Sequence, residues 1–417
     1  MPKKTEISKL SVVLRRGGES LPVGELAESR GQIYFEYDES FRQRNLEISP
    51  FKLPLRQKFF QQISRSELFG LPGVFYDSLP DGWGLLVMDR VFRSKGLDPD
   101  SISPLSRLAY VGDRAIGALS YKPQSDLFEP GQSLALDLAE LARESELILE
   151  GETEHVVKEV VVAGGSPGGA RPKALIGLNV STDAAVYGVY DIGPGYEHYV
   201  VKFRGFREPK SVGIVEYIYS IMARKSGINM PETRLLRSGQ DQFFAIKRFD
   251  RQGNLRVHTH TLAGLLHSDF RKPEISYGHF LKVTQHLTHN HEEVLEAFRR
   301  MVFNILAYNR DDHAKNFSYI MDANGSWSLS PAYDVVYSAG AAGWHTMDIS
   351  GEKHPQLQAV LALAKEHGIK KAAAVEVVDQ VRMAVSAWNE LAQEHAVDYE
   401  TVQKVQTALD SISPHML

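Results

Sequence analysis

A chain of 417 residues is longer than a single hydrophobic core usually grows, so two or three domains are expected. It has no cysteine, which excludes disulfides, thiolate metal sites and a cysteine nucleophile, and its 43% apolar and 24% charged shares are those of an ordinary globular protein. The formal net charge of −5 speaks against bulk electrostatic binding of nucleic acid. No apolar run approaches the roughly 18 residues of a membrane span, and Ser11 to Leu14 is too short for a signal-peptide core, so a cytoplasmic protein without a membrane contact is expected.

Residues 1 to about 125 read as short strands broken by turns. Gln32 to Tyr37 sets Ile33, Phe35 and Tyr37 against Tyr34 and Glu36, the period of a half-buried strand. Gly82 to Arg90 reads as a short helix, Gly117 to Tyr121 as a strand, and Ser125 to Gln132, with Pro130-Gly131, as a boundary. Leu134 to Leu149 is rich in Ala, Leu and Glu and reads as a helix. Val156 to Val162 predicts a strand before a glycine-rich loop, and Ala174 to Leu178 a strand after it. Tyr199 to Phe203 and Phe243 to Ile246 read as further strands on either side of a helix over Ile214 to Lys225. From about 255 onward the chain reads as mainly helical: Val294, Phe298, Met301 and Ile305 recur at helical spacing. The order divides the chain into a β-rich module (1–125), a β-rich lobe with a glycine loop (126–250) and a helical lobe (251–417), an α+β arrangement.

Four constellations carry chemistry. Asn309-Arg-Asp-Asp-His-Ala-Lys-Asn316 follows the amphipathic helix and holds an Asp and an Asn five residues apart. Phosphoryl transfer to a hydroxyl needs a carboxylate to orient the nucleophile and an oxygen ligand for Mg²⁺ beside it, and Asp311 and Asn316 have the spacing that protein kinases use. A polar helix end with an Asp/Asn turn would leave the same residues. A zinc site at Asp312 and His313 is weak, because no second ligand stands at helical spacing. Second, Leu329-Ser-Pro-Ala-Tyr-Asp334 arrives after a turn at Asn324-Gly325 and places a further Asp 23 residues beyond Asp311, where kinases carry a second metal-binding carboxylate. Third, Ala163-Gly-Gly-Ser-Pro-Gly-Gly-Ala-Arg-Pro-Lys173 can approach a phosphate chain through its backbone, although it is neither a Walker A loop nor a dinucleotide fingerprint. Fourth, Lys202 stands alone among Tyr, Val and Phe on a strand that reads as buried, where an unpaired ammonium is costly; ATP phosphates and Glu216 on the next helix would resolve that cost. Ser-His-Asp hydrolase chemistry has no support, for want of a Gly-x-Ser-x-Gly elbow.

Taken together, these residues resemble the HipA family of serine/threonine kinases, the toxins of bacterial toxin–antitoxin systems. The resemblance runs through Phe75-Tyr-Asp-Ser-Leu-Pro-Asp-Gly82, Gly112 to Ala118, Ser166 to Lys173, Arg248-Phe-Asp-Arg251, Asp311 to Asn316 and Pro331-Ala-Tyr-Asp334. It implies a protein-kinase-like bilobal core, with a β-rich N-lobe and an all-α C-lobe, behind an N-terminal β-barrel-like subdomain. It implies ATP and Mg²⁺ as cofactors, Asp311 as catalytic base with Lys202 contacting phosphate, and Asn316 and Asp334 as metal ligands. Gly168, Gly169, Ala170, Arg171, Pro172 and Lys173 would cover the ATP phosphates, and Lys247, Arg248 and Phe249 would form the hinge around adenine. His313, Lys315 and Tyr333 would join Asn316 and Asp334 against the nucleotide. Ser166 matches the family's autophosphorylated serine, with Pro167 stiffening the loop behind it. The implied partners are a helix-turn-helix antitoxin of the HipB kind, DNA only through that antitoxin, and a protein substrate for which an aminoacyl-tRNA synthetase is a reasonable guess. A small-molecule phosphotransferase of the aminoglycoside-kinase kind and a non-enzymatic corepressor are the alternative readings.

Overall fold

Strand alternation builds the first sheet. β1 (Lys9–Arg16) and β2 (Glu19–Ser29) form an antiparallel hairpin, β3 (Gln32–Tyr37) pairs with β2, and β4 (Phe59–Gln62) and β5 (Leu119–Lys122) complete the order β4-β3-β2-β1-β5. Ile33, Phe35 and Tyr37 all point inward and are buried, as their period requires. The computed structural model describes residues 7–62, 67–127, 135–151, 160, 169–188, 191–272, 274–340, 343–352 and 354–412. The helix expected over Gly82 to Arg90 is α1 (Gly82–Ser94), and the first module also carries α2 (Pro104–Val111) and shorter helical turns; the apolar faces of α1 and α2 bury Trp83, Val87, Phe92, Leu105 and Leu108. The second begins at a Ser103 cap with Pro104 in its first turn, a favourable helix start.

The helix expected from Leu134 is α3 (Leu138–Glu150), which begins later because Asp137 caps it through the Ala139 and Glu140 N–H groups. The strand expected over Val156 to Val162 lies almost wholly outside the described residues. A second antiparallel sheet follows, with β6 (Lys173–Asn179), β7 (Ala185–Tyr187), β8 (Tyr196–Lys202), β9 (Thr233–Ser238) and β10 (Asp241–Lys247) in the order β7-β6-β8-β10-β9. The helix α4 (Val212–Lys225) enters between β8 and β9 and packs on β10.

The C-terminal part is helical around α5 (Tyr277–Thr288) and α6 (His291–Leu306), followed by α7 (Leu357–Glu366), α8 (Lys371–Val385), α9 (Trp388–Glu394) and α10 (Tyr399–Ile412). Val294, Phe298, Met301 and Ile305 are all buried on α6, the stripe legible in the sequence. Between the lobes lie a short hairpin, β11 (Arg251–Gln252) and β12 (Leu255–Arg256), and a three-stranded sheet of β13 (His258–Thr261), β14 (Ser318–Met321) and β15 (Trp327–Leu329). The mainly helical reading from residue 255 missed β13, because His-Thr-His-Thr shows no apolar alternation. Its pairing with β14 is what makes it a strand.

Candidate active site

β8 ends on Lys202, whose aliphatic stem is buried beneath the second sheet. Its ammonium donates to Glu216 on α4 and to Asp334, so one lysine ties the sheet, the helix and the segment after β15. Its side chain is 9% exposed and that of Glu216 1% exposed. Burial alone would pull the Lys202 pKa down, but Asp334 and then Glu216 outweigh it and hold the pKa above the ordinary lysine value. Asp334 is the mirror case: burial pushes its carboxyl up, and Lys202 and Lys173 overcome that, keeping it well below the usual carboxylate range. It sits at φ +55, a strained setting for a non-glycine residue.

The loop after α6 presents its two aspartates in opposite directions. Asp312 is wholly buried and saturated: it accepts the Tyr277 hydroxyl at 2.5 Å, His345 Nδ1 at 2.8 Å and the Thr346 N–H at 2.7 Å. Asp311 is 62% exposed, with His313 Nε2 at 4.0 Å as its ion-pair neighbour. Partial removal of Asp311 from water raises its pKa; His313 opposes the rise and Asp334 adds to it. Asn316 donates its Nδ2 to the Asp311 carbonyl at 2.8 Å, which leaves its oxygen to face the cleft. Asn309, Asn304 and Tyr277 continue the network under the loop, with hydrogen bonds of 3.0 and 3.1 Å.

A cleft with about 1030 Å³ of empty space, counting the part open to solvent, runs between these elements. Of the residues expected against a nucleotide, Gly169, Lys173, Lys202, Lys247, Arg248 and Phe249 line it from one side. His313, Lys315, Asn316, Tyr333 and Asp334 line it from the other. Phe249 and Tyr333 face each other with ring centroids 5.6 Å apart. The Tyr333 hydroxyl is tied to Ser318 Oγ at 2.6 Å and to the Lys315 carbonyl at 2.8 Å. Burial lowers the pKa of Lys173 to about 8, with Asp334 opposing the fall and Lys202 adding to it.

Other expected residues are placed differently. Ser166 and Gly168 lie outside the described residues. Arg171 turns away from the cleft, its Nε 2.9 Å from both Glu208 oxygens and its terminal nitrogen 2.8 Å from Glu216. Ala170 and Pro172 are backbone spacers, and the Pro172 carbonyl accepts from the Phe203 N–H at 2.9 Å. The Lys247 ammonium pairs with Glu197 at 2.6 Å, and its N–H bonds the Glu232 carbonyl. The Arg248 guanidinium is committed to Asp250 at 2.8 and 2.9 Å and its N–H to the His198 carbonyl at 2.9 Å, so the Phe249 N–H and the carbonyls of 247–249 are the backbone groups left to recognise a base.

Sequence reasoning missed the walls supplied by the first module and by β13. Asp77, Asp81 and Ile116 line the cleft, as do Thr259 and Thr261. Asp77 accepts the Thr261 N–H and hydroxyl at 2.8 Å and His260 Nδ1 at 2.6 Å, and His260 Nε2 meets Ser49 Oγ at 3.0 Å. The Ser49–His260–Asp77 chain has the connectivity of a hydrolytic triad. Ser49 and His260 are wholly buried, however, so no substrate reaches them and the chain fastens the module to β13. A second fastening joins Asp250 to the Gly117 N–H at 2.8 Å and Arg251 to the Gly117 and Ala115 carbonyls. Gly112 to Ala118 and Arg248 to Arg251, two of the segments that carry the resemblance, are thus held against each other.

The HipA-like C-terminal domain matches residues 165–388, more than half of the chain, and the HipA N-terminal domain matches residues 18–122. The chain belongs to the HipA family. Among solved structures it is similar to Shewanella oneidensis HipA, determined in a complex with HipB and its operator DNA. That likeness covers 98% of this chain and 97% of the other, with a TM-score of 0.71 and 18% identity, and it is a likeness of fold. Two curated relatives are a candidate kinase of Sinorhizobium fredii, 27% identical over 222 residues, and one of Haemophilus influenzae, 30% identical over 128 residues. These matches cover 48% and 27% of this chain. The chain spans about half the length of the first relative (53%) and 37% of the second. Within the HipA-like C-terminal match the cleft-lining residues come from both the second sheet and the segments around β14 and β15, and Asp77, Asp81 and Ile116, within the HipA N-terminal match, add the third wall.

Proposed function

We propose that this HipA-family chain is an ATP-dependent serine/threonine-protein kinase and the toxin of a toxin–antitoxin pair. The observation that carries the reading is the pairing of Lys202 with both Glu216 and Asp334 beside an exposed Asp311. Kinases need that lysine–glutamate pair and that metal-binding aspartate together before transfer can occur. Adenine would lie against Phe249 and Tyr333 at the 247–249 backbone, and the phosphates would run towards Lys173 and Lys202. Asp311 would orient the acceptor hydroxyl and take its proton, a role that its exposure suits and that the buried Asp312 is not placed to fill.

A magnesium ion fits the donor set. Asp334 is held ionised, and the Asn316 oxygen is left over once its nitrogen is spent on the Asp311 carbonyl. Among the described residues no group of three or more acidic, His or Cys side chains could hold a metal alone. Such a site suits an ion that arrives with the nucleotide and takes the rest of its oxygens from phosphate and water. When bound, the ion would neutralise charge on the transferring phosphoryl group.

Autophosphorylation of Ser166, at the head of the glycine loop, belongs to the same proposal. So does a helix-turn-helix antitoxin of the HipB kind, through which DNA would be reached. The Shewanella HipA complex supports that partner. A cytoplasmic site of action belongs to the proposal too; no helix of the described residues is long and apolar enough to cross a membrane. Calorimetric titration with ATP, with and without Mg²⁺, tests the reading. Binding that strengthens with Mg²⁺ and is lost in Lys202→Met is expected, and nucleotide binding indifferent to both would refute it.

A further inference from the structure

Gly169 ends the glycine-rich loop, and both of its peptide groups are held by the N-terminal module. Its N–H donates to Asp81 Oδ1, and its carbonyl accepts from the Trp83 N–H at 3.0 Å. The other oxygen of the same Asp81 carboxylate accepts from Lys315 Nζ at 2.6 Å, one residue before Asn316 in the catalytic loop. Lys315 is boxed by Tyr76 and Phe270, whose ring centroids each stand 5.2 Å from its nitrogen. Asp81 is 4% exposed. Burial pushes its carboxyl up, and Lys315 outweighs that and holds it below the ordinary value. Gly82 completes the contact: at φ +45, a Cβ there would overlap the Gly169 carbonyl, so this turn admits no side chain.

We propose that Asp81 is a positioning residue of the nucleotide site, the clasp through which the N-terminal module sets the separation of the glycine loop and the catalytic loop. The clasp rests on the kinase reading for its purpose and on the contacts alone for its geometry. Glycine loops have few contacts of their own, and their freedom is entropically costly to remove. Here the end of the loop is fixed by a backbone pair and a charge-assisted hydrogen bond before any nucleotide enters. The same carboxylate fixes the loop that carries Asp311 and Asn316. A buried ion pair is weak as a source of net stability, but removing one partner strands the other, so the two loops move apart only by breaking a costly contact or by following the module. The module is thus a working wall of the site, and a partner that displaced it would withdraw the end of the glycine loop.

The test uses the full chain and three variants: Asp81→Asn, Lys315→Met and Gly82→Ala. Amide hydrogen exchange is read without nucleotide over residues 169–175 and 312–318, and a non-hydrolysable ATP analogue with Mg²⁺ is titrated calorimetrically. Asp81→Asn should raise exchange in both segments together. Gly82→Ala, which alters no charge, should raise it over 169–175 alone, and Lys315→Met over 312–318 alone. Asp81→Asn and Gly82→Ala should each weaken the analogue about tenfold, since binding must then supply the cost of ordering the loop end that the clasp had already met. Exchange that rises throughout the chain, with wild-type affinity in the folded fraction, would overturn the clasp and leave Asp81 a mere stabiliser. Failure of the unaltered chain to bind the analogue would instead refute the kinase reading, while the paired local exchange response would still uphold the coupling of the two loops.

Discussion

Adjacent aspartates in one loop should respond to mutation in opposite ways. Asp312 is wholly buried and accepts three hydrogen bonds, from Tyr277, His345 and Thr346. In Asp312→Asn one oxygen can keep the Thr346 N–H, while the new amide meets the two donors that shared the other oxygen. Losing two bonds to a buried charge, at about 1.5 kcal/mol each, predicts a loss of about 3 kcal/mol. At about 2–4 °C per kcal/mol for a domain of this size, melting should fall by roughly 6–12 °C. Asp311→Asn should leave melting unchanged or slightly raised. Burial, with Asp334 adding to it and His313 opposing it, places the folded pKa above the unfolded one. A carboxyl of that kind contributes stability below its unfolded pKa and loses it as pH rises through the folded pKa, so at neutral pH its charge gives no stability to lose. Melting followed by circular dichroism and by the combined emission of the four tryptophans, one of them Trp344 next to His345, is the assay. Equal melting of the two variants, or Asp312→Asn melting with the wild type, would refute the assignment of a structural role to Asp312 and an acceptor-facing role to Asp311.

Three further outcomes are expected. Lys173, with its pKa lowered to about 8, is partly neutral near that pH and mostly neutral above it, and should recharge beside nucleotide phosphates. Binding of Mg-ATP should therefore take up protons near pH 8 and above and weaken as pH rises there; calorimetry in buffers of different ionisation enthalpy should show the uptake, and Lys173→Met should abolish it. Asp334→Ala and Asn316→Ala should each weaken Mg-dependent nucleotide binding, Asp334→Ala the more, because it removes charge as well as an oxygen; unchanged Mg-ATP titrations in both variants would contradict the proposed metal ligands. Phosphorylation of Ser166 would add a charge of about −1.5 to −2 at the head of the phosphate-facing loop, so ATP-treated protein should lose nucleotide affinity and Ser166→Ala should not. Mass spectrometry paired with titration reads both, and a phosphorylated Ser166 with intact ATP binding would contradict the switch.

That many of the expected residues would share one cleft was legible because the proposed chemistry depends on short, fixed spacings. Asp311 and Asn316 lie within one loop, and a lysine alone among apolar neighbours on a strand demanded a partner, which Glu216 and Asp334 provide. The second sheet was legible from period-two alternation at Tyr199 to Phe203 and from the short apolar run Phe243 to Ile246, and α6 from its apolar stripe. What stayed hidden depends on long-range contact. The spacing to Asn316 singled out Asp311, but nothing local showed that Asp312 is buried; that depends on Tyr277, His345 and Thr346, which lie outside the loop. Arg171 looked like a phosphate ligand until Glu208 and Glu216 drew it behind the sheet. Asp81 could be read only as part of a motif, because its partners Gly169 and Lys315 are 88 and 234 residues away. β13 is polar throughout and owes its conformation to β14.

The account stands or falls on transfer of phosphate to protein hydroxyls by this site. Quantitative phosphoproteomics of cells expressing the wild type or Asp311→Asn at equal levels measures it directly. The account predicts serine or threonine phosphosites, on one or a few proteins, that appear with the wild type and are absent with Asp311→Asn, although both fold and bind Mg-ATP. Identical phosphosite profiles from the two folded proteins would contradict it.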